Sequence, residues 1–452
     1  MPRRRTVLLL LVAFLMVEAY IAITALGDLR HQISTYWTIH GLLWIGYAGT
    51  LWAIKQEWWE DGALKIVLPT AVLFRLVLVP AEPSLSDDIY RYMWDGRVQV
   101  SGINPYSQPP IFPDLSALKD QWHPLINNPH ISTIYGPPAQ ILFAVVDCIW
   151  HSPQAFKAAF VLLDVTTILL LALLLKAHGR PKMWVVAYAW NPLVIVESAH
   201  SGHLDALPVM LTVLTAFLWA KRWPVAAWGA LAVAAMAKPY ALLLAPLLLK
   251  KKPLAGGGVF IAVSVGLLIP YLGAGERLVV GLGAYAGAWR FNDSLFAIID
   301  AVMDSSLLNA GSLSSWAKDW LAGWGVYGDH VGDGMAAKIV VGVLLMAIVS
   351  SVAWRGKRLM FQFLAITAAL LFLAPAVNPW YLTWMVPWLC FLPVPALILW
   401  TGLAPLSYHV LSGWAQTGVW SELGILRWVE YVPVFAGLVW HLALWWRSKE
   451  RV

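Results

Sequence analysis

The chain has 452 residues, 60% of them hydrophobic and only 12% charged, with a formal net charge of +6. Soluble domains carry roughly 25% charged residues, so this composition excludes an ordinary soluble enzyme. The basic excess does not mark a nucleic-acid binder, because Lys and Arg fall in short clusters between apolar runs.

Apolar windows near bilayer length predict helices at about 6–26, 37–54, 63–80, 156–176, 183–199, 205–220, 224–237 and 239–250. Six more follow at about 254–271, 335–354, 359–374, 380–392, 394–410 and 429–446. The expected fold is an all-α integral membrane protein, a polytopic bundle of about 12 to 14 transmembrane helices in one domain over residues 1–452. The run after Arg3-Arg4-Arg5 is too long for a cleaved signal peptide and reads as a signal anchor with its basic end in the cytoplasm. With both termini inside, the cytoplasmic segments hold 19 of the 31 basic residues, including Arg180, Lys182, Lys221, Arg222, Lys250, Lys251, Lys252, Arg355 and Arg451. That asymmetry supports the orientation and turns the chain outward at Lys238. Counting Ile131 to Trp150 as a span would put Arg180 and Lys182 outside, so it reads as a helix on the outer interface, broken at its start by Tyr135-Gly-Pro-Pro138.

Two outer loops, about 81–155 and 272–334, are far longer than a connection requires, and long loops carry function. The first opens with Ser86-Asp87-Asp88-Ile-Tyr-Arg91-Tyr-Met-Trp-Asp95. Here two carboxylates meet an arginine one helical turn on, a cluster able to poise a base or to cap the loop. A second group, Glu197, His200, His203 and Asp205, closes a span. The histidines are three apart and share a helix face, a pattern that presents two metal ligands but more often makes a polar cap, and no metal is assigned. A third comprises Lys238, Arg290 with Asn292-Asp293, and Asn378-Pro-Trp380-Tyr381, all expected on the outer face with the aspartates. Arg75 and Asp164 lie inside spans, where a lone charge is costly, and are candidates to pair with each other. The 28 tryptophans crowd span ends as interfacial anchors, with sugar stacking the alternative on the outer loops. Gly281-Leu-Gly283 lacks the strand and spacing of a dinucleotide loop, and no Walker lysine motif is present, which argues against an ATP-driven pump.

The run from Ser86 through Gly102-Ile-Asn-Pro-Tyr106 resembles the first outer loop of bacterial polyprenyl-phosphate-mannose-dependent mannosyltransferases of the GT-C superfamily. The resemblance continues in order through Tyr135-Gly-Pro-Pro138, Gly202-His-Leu-Asp-Ala206, Ala237-Lys-Pro-Tyr240 and Asn378-Pro-Trp-Tyr381 and covers most of the chain. It implies a multi-pass plasma-membrane enzyme, its active site facing the periplasm or exterior, that moves mannose from a polyprenyl-phosphate donor to a hydroxyl of a glycan, glycolipid or protein acceptor, with inversion. By the same resemblance Asp88 or Asp87 is the base, with Asp88 favoured because an aliphatic residue follows it. Lys238, Arg290 and Arg91 receive the donor phosphate. Asp95, Tyr135, His203, Asp205, Asn378, Trp380 and Tyr381 bind substrate. Membrane lipid is a partner and nucleic acid is not. No cofactor is required, and a divalent cation stays open. The competing class is a transporter or flippase of a lipid-linked sugar, which also uses broken helices and intramembrane charge.

The loop charges predict that a cysteine replacing Asp114 reacts with an impermeant thiol reagent added outside intact cells, and that one replacing Gly356 does not. Labelling of the second alone reverses the orientation.

Overall fold

The computed structural model describes residues 3–304, 315–316, 318–320, 322 and 333–449. Part of the expected loop 272–334, and Arg451, lie outside the described residues. Helices are the only regular elements among the described residues, with one isolated parallel bridge between Phe291 and Ala376 and no named strand. The all-α class therefore holds. Four helices, Arg4–Ala25, Pro153–Ala177, Pro253–Ala274 and Met335–Arg355, are long and apolar enough to cross a membrane. Phe14, Leu162, Ile261 and Val343 on them are each more than half exposed, a surface matched to lipid tails rather than water.

Other expected spans differ in continuity. Ile33–Lys55 and Gly424–Lys449 are long helices of 23 and 26 residues. The window 183–199 instead breaks into Lys182–Val185, Val186–Ala189, Pro192–Ile195 and a π-helical turn Val196–His200. The windows 380–392 and 394–410 break into Pro379–Trp384, Val386–Leu389, Pro395–Leu403 and Ala404–Tyr408. Proline causes most of these breaks: it lacks an N–H, clashes with the preceding turn, and starts a new helical piece at its first position. The 12 to 14 spans of the sequence reading are thus not met as continuous helices.

The chain forms two compact units. The first contains Met1–Leu85, Val161–Ala206 and Asn378–Val452. In it Arg3–Ala25 packs against Ile33–Lys55 and Leu64–Leu78, and Pro395–Leu403 packs against Gly424–Lys449, with Trp400 Nε1 donating to Glu430 Oε1 at 2.8 Å. At the Asn191-Pro192 break, the Asn191 side chain accepts from the N–H groups of Leu193 and Val194 and donates to Tyr47 Oη and Thr401 Oγ1. One side chain thereby serves backbone groups that a continuous helix would have satisfied itself. Arg75 and Asp164, both fully buried, pair as the sequence proposed. Arg75 Nη1 also donates to the carbonyls of Ala71 and Ala189, and Asp164 accepts from Tyr188 Oη and Ser198 Oγ. The ion pair joins Leu64–Leu78 to Pro153–Ala177, and the hydrogen bonds to Ala189, Tyr188 and Ser198 tie both to the broken segment.

The second unit contains Ser86–Phe160 and Leu207–Val377. Its Asp88–Val100 helix packs along Pro137–Ile149, and Pro224–Ala237 packs along Pro253–Leu268. Met335–Arg355 packs against Leu295–Met303 and Leu359–Leu373.

Removing one member of a buried pair strands the other's charge, so Asp164→Ala should cost about 3–5 kcal/mol, while Arg75→Met combined with Asp164→Leu should cost less than that single change. Thermal unfolding in detergent checks this, and an Asp164→Ala protein as stable as the parent contradicts it.

Candidate functional site

The expected site residues fall into two groups, one within each unit. In the second unit the Asp88–Val100 helix starts at the aspartate pair, with Asp87 at the N-cap position and Asp88 in the first turn. There a carboxylate gains from the free N–H groups and the positive end of the helix dipole. Both side chains are half-buried. Ser86 Oγ accepts from the Asp88 N–H at 3.2 Å, and Asp88 Oδ1 accepts from Asn127 Nδ2 at 2.8 Å. The Asp88 carboxylate is thereby oriented by a loop amide while remaining partly accessible.

One turn on, Arg91 is 6% exposed. Its Nε donates to Asp95 Oδ1 and its Nη1 to the Ile131 carbonyl, both at 2.9 Å, while Nη2 is buried with no hydrogen-bond partner. Asp95, expected at the substrate, is instead 1% exposed: beside Arg91 it accepts from Gln140 Nε2 at 2.9 Å. Its two oxygens accept hydrogen bonds from Arg91 and Gln140, which tie the helix to its neighbour.

Tyr135 belongs to an extended strap, residues 131–136, seated from several sides. Gln140 Nε2 donates to Thr133 Oγ1 at 2.8 Å, and Tyr106 Oη donates to the Tyr135 carbonyl at 2.7 Å. A Cβ at Gly136 would lie 1.7 Å from the Met236 carbonyl oxygen, and one at Gly281 would lie 2.4 Å from that of Thr133. Both glycines let backbone meet backbone where no side chain fits. The Gly136 contact places the strap against the end of Pro224–Ala237, immediately before half-buried Lys238. Burial, then the negative charge of Asp88, pushes the Tyr135 hydroxyl well above its ordinary range, so it stays a neutral donor.

Arg290 follows Arg277–Ala288. It pairs with Asp293 at 2.7 Å and with Asp300. Burial opposes its charge, and the two carboxylates outweigh that and hold the guanidinium above its ordinary range. The two carboxylates hold the guanidinium in place while its side chain stays 46% exposed.

The second group lies in the first unit. The His203 ring stacks on Trp380 with centroids 3.9 Å apart, and His203 Nδ1 lies 3.0 Å from Glu197 Oε2. Tyr408 Oη donates to Glu197 Oε1 at 2.7 Å. Asp205 accepts from Trp384 Nε1, and Tyr381 stacks on Trp384 at 4.6 Å. Asn378 starts the Pro379–Trp384 turn that carries these rings. The shared helix face expected for His200 and His203 is lost, because the π turn ends at His200 and the chain bends before His203. Among the described residues no group of three or more His, Cys, Asp or Glu side chains is arranged to hold a metal ion. Sequence reasoning missed Asn127, Thr133, Gln140, Trp384 and Tyr408. Of these only Gln140 carries a signal, a lone amide in the apolar run of Pro137–Ile149.

Residues 9–250 match the family model described as alpha-(1->6)-mannopyranosyltransferase, N-terminal domain. No curated protein matches the chain. The match covers more than half of the chain, which therefore belongs to the alpha-(1->6)-mannopyranosyltransferase family and is a glycosyltransferase. It includes Asp88, Arg91, Tyr135, His203 and Lys238, whereas Arg290 and the Asn378 turn lie beyond it.

If the strap positions the site, Gly136→Ala should destabilise the protein by about 1–3 kcal/mol and lower sugar transfer more than tenfold. Gly283→Ala, where an added Cβ meets nothing within 4 Å, serves as the control and should change neither. Thermal unfolding and transfer measured on both variants check it, and an unaffected Gly136→Ala protein contradicts it.

Proposed function

We propose that this chain transfers mannose from a polyprenyl-phosphate donor to a hydroxyl of a glycan, glycolipid or protein acceptor, at the outer face of the plasma membrane and with inversion, with Asp88 as the base. The observation that carries the reading is the start of the Asp88–Val100 helix, where a partly accessible carboxylate held by Asn127 stands one turn from an arginine with an unpartnered nitrogen. A positioned carboxylate that accepts the acceptor's proton makes its hydroxyl oxygen a better nucleophile. The oxygen attacks the anomeric carbon, the glycosidic bond to phosphate breaks, and the lipid phosphate leaves. Charge accumulating on that phosphate is offset by the cations Lys238, Arg290 and Arg91, the last through its unpartnered Nη2. Tyr135, a neutral donor near Asp88, binds a substrate oxygen. His203, Asp205, Trp380, Tyr381 and Asn378 supply stacking and hydrogen bonds to sugar. A lipid-linked donor calls for no nucleotide-binding fold, and the reaction uses no cofactor.

Asp88→Asn keeps size and most hydrogen bonding while removing basicity. It should lower transfer by roughly 10²–10⁴ and leave donor binding intact. Asp87→Asn should be milder. Transfer by purified variants in detergent decides: normal turnover in Asp88→Asn removes it as the base, and the reverse ranking assigns Asp87.

A further inference from the structure

Among the described residues of the first unit, Glu197 is a buried carboxylate that the proposed chemistry does not use. It is 1% exposed, with Oε1 receiving Tyr408 Oη and Oε2 lying 3.0 Å from His203 Nδ1. The His203 N–H donates to the Glu197 carbonyl at 2.9 Å, so backbone and side chain together hold the histidine beside this residue. The imidazole is itself 1% exposed and lies flat on Trp380, and its Nε2 is buried without a hydrogen-bond partner.

We infer that Glu197 is a positioning residue that fixes the tautomer of His203, leaving Nε2 as a hydrogen-bond acceptor for a sugar hydroxyl. A carboxylate oxygen that accepts from the imidazole fixes the proton on the ring nitrogen facing it and leaves the other ring nitrogen its lone pair. Nδ1 lies within hydrogen-bonding distance of Oε2 but off the axis of a formed hydrogen bond. Tyr408 saturates the other carboxylate oxygen, which leaves Glu197 one acceptor to offer and His203 one orientation to take. A buried acceptor with no partner is costly unless a donor fills it. The donor that suits a site walled by Trp380 and Tyr381 is a pyranose ring, with an apolar face for the indole and hydroxyls at its edge. This assignment rests on the sugar-transfer reading for its ligand but not for its tautomer.

The test has a spectroscopic arm and a kinetic arm. Nitrogen-15 spectra of histidine-labelled protein in lipid, with the His203 signals identified by their loss in His203→Gln, should show the proton on Nδ1. In Glu197→Gln the amide facing Nδ1 donates, so the proton should move to Nε2, and Glu197→Asp should restore it to Nδ1. In steady-state transfer, Glu197→Gln should raise KM about tenfold for the one substrate whose hydroxyl His203 accepts, with kcat changed far less. Separate titrations of the mannosyl lipid and of the acceptor identify which substrate that is. A wild-type proton on Nε2 overturns the inference without any variant. So does a Glu197→Gln protein that switches tautomer with both KM values unchanged, since water alone would then occupy Nε2. If the wild type transfers no mannose, the sugar-transfer reading fails, and the tautomer result stands on its own.

Discussion

The burial of Arg91 is the constraint on which the arrangement around Asp88 depends. A guanidinium with 6% exposure must find partners inside the protein, and it finds them in Asp95 on its own helix and in the carbonyl of Ile131 on the strap. Gln140 closes the circuit by reaching both Asp95 and Thr133 from the neighbouring helix. Three stretches of sequence are tied to one another through four polar side chains. Asp88 inherits its position because it lies on the first turn of the helix so fixed. The same strap carries Tyr135 and, through Gly136, abuts the helix that ends at Lys238. Asp88, Tyr135 and the helix end before Lys238 are thus held by one network rather than by separate loops.

The other unit follows a different economy. Its helices are interrupted by prolines and a π turn, and each interruption releases backbone groups that an apolar surrounding cannot satisfy. Asn191 meets that demand at one break, and Arg75 reaches the Ala189 carbonyl at another while pairing with Asp164. The breaks in turn bring Glu197, His203 and the Trp380 turn together as a buried polar and aromatic cluster. Polar chemistry within an apolar bundle is supported here by interrupted helices whose exposed backbone is served by buried side chains.

How much of this the sequence disclosed varied with the kind of signal. Arg75 and Asp164 were legible as a pair because a lone charge inside an apolar run has few ways to exist. The aspartate pair at 87 and 88 stood out through density of charge at a span end. The breaks in 183–199 and 380–410 were not legible from hydropathy, since averaging over a window hides an Asn-Pro or Val-Pro step. The carboxylate partners of Arg290, three and ten residues on, were not legible because they depend on how the chain folds back. The partners of Asp95 were hidden for the same reason: nothing in its spacing shows that Gln140, from another helix, completes its hydrogen bonds. Asn127 sits in an irregular loop with no pattern pointing to Asp88.

The central claim is mannosyl transfer from a lipid phosphate, and the most direct measurement supplies purified protein in lipid with labelled mannose on synthetic polyprenyl phosphate and an oligomannoside acceptor. The account predicts labelled product in which the anomeric configuration is inverted relative to the donor, with nucleotide-linked mannose failing to substitute. Product formed from the nucleotide sugar alone, or retention of the donor's configuration, would contradict it.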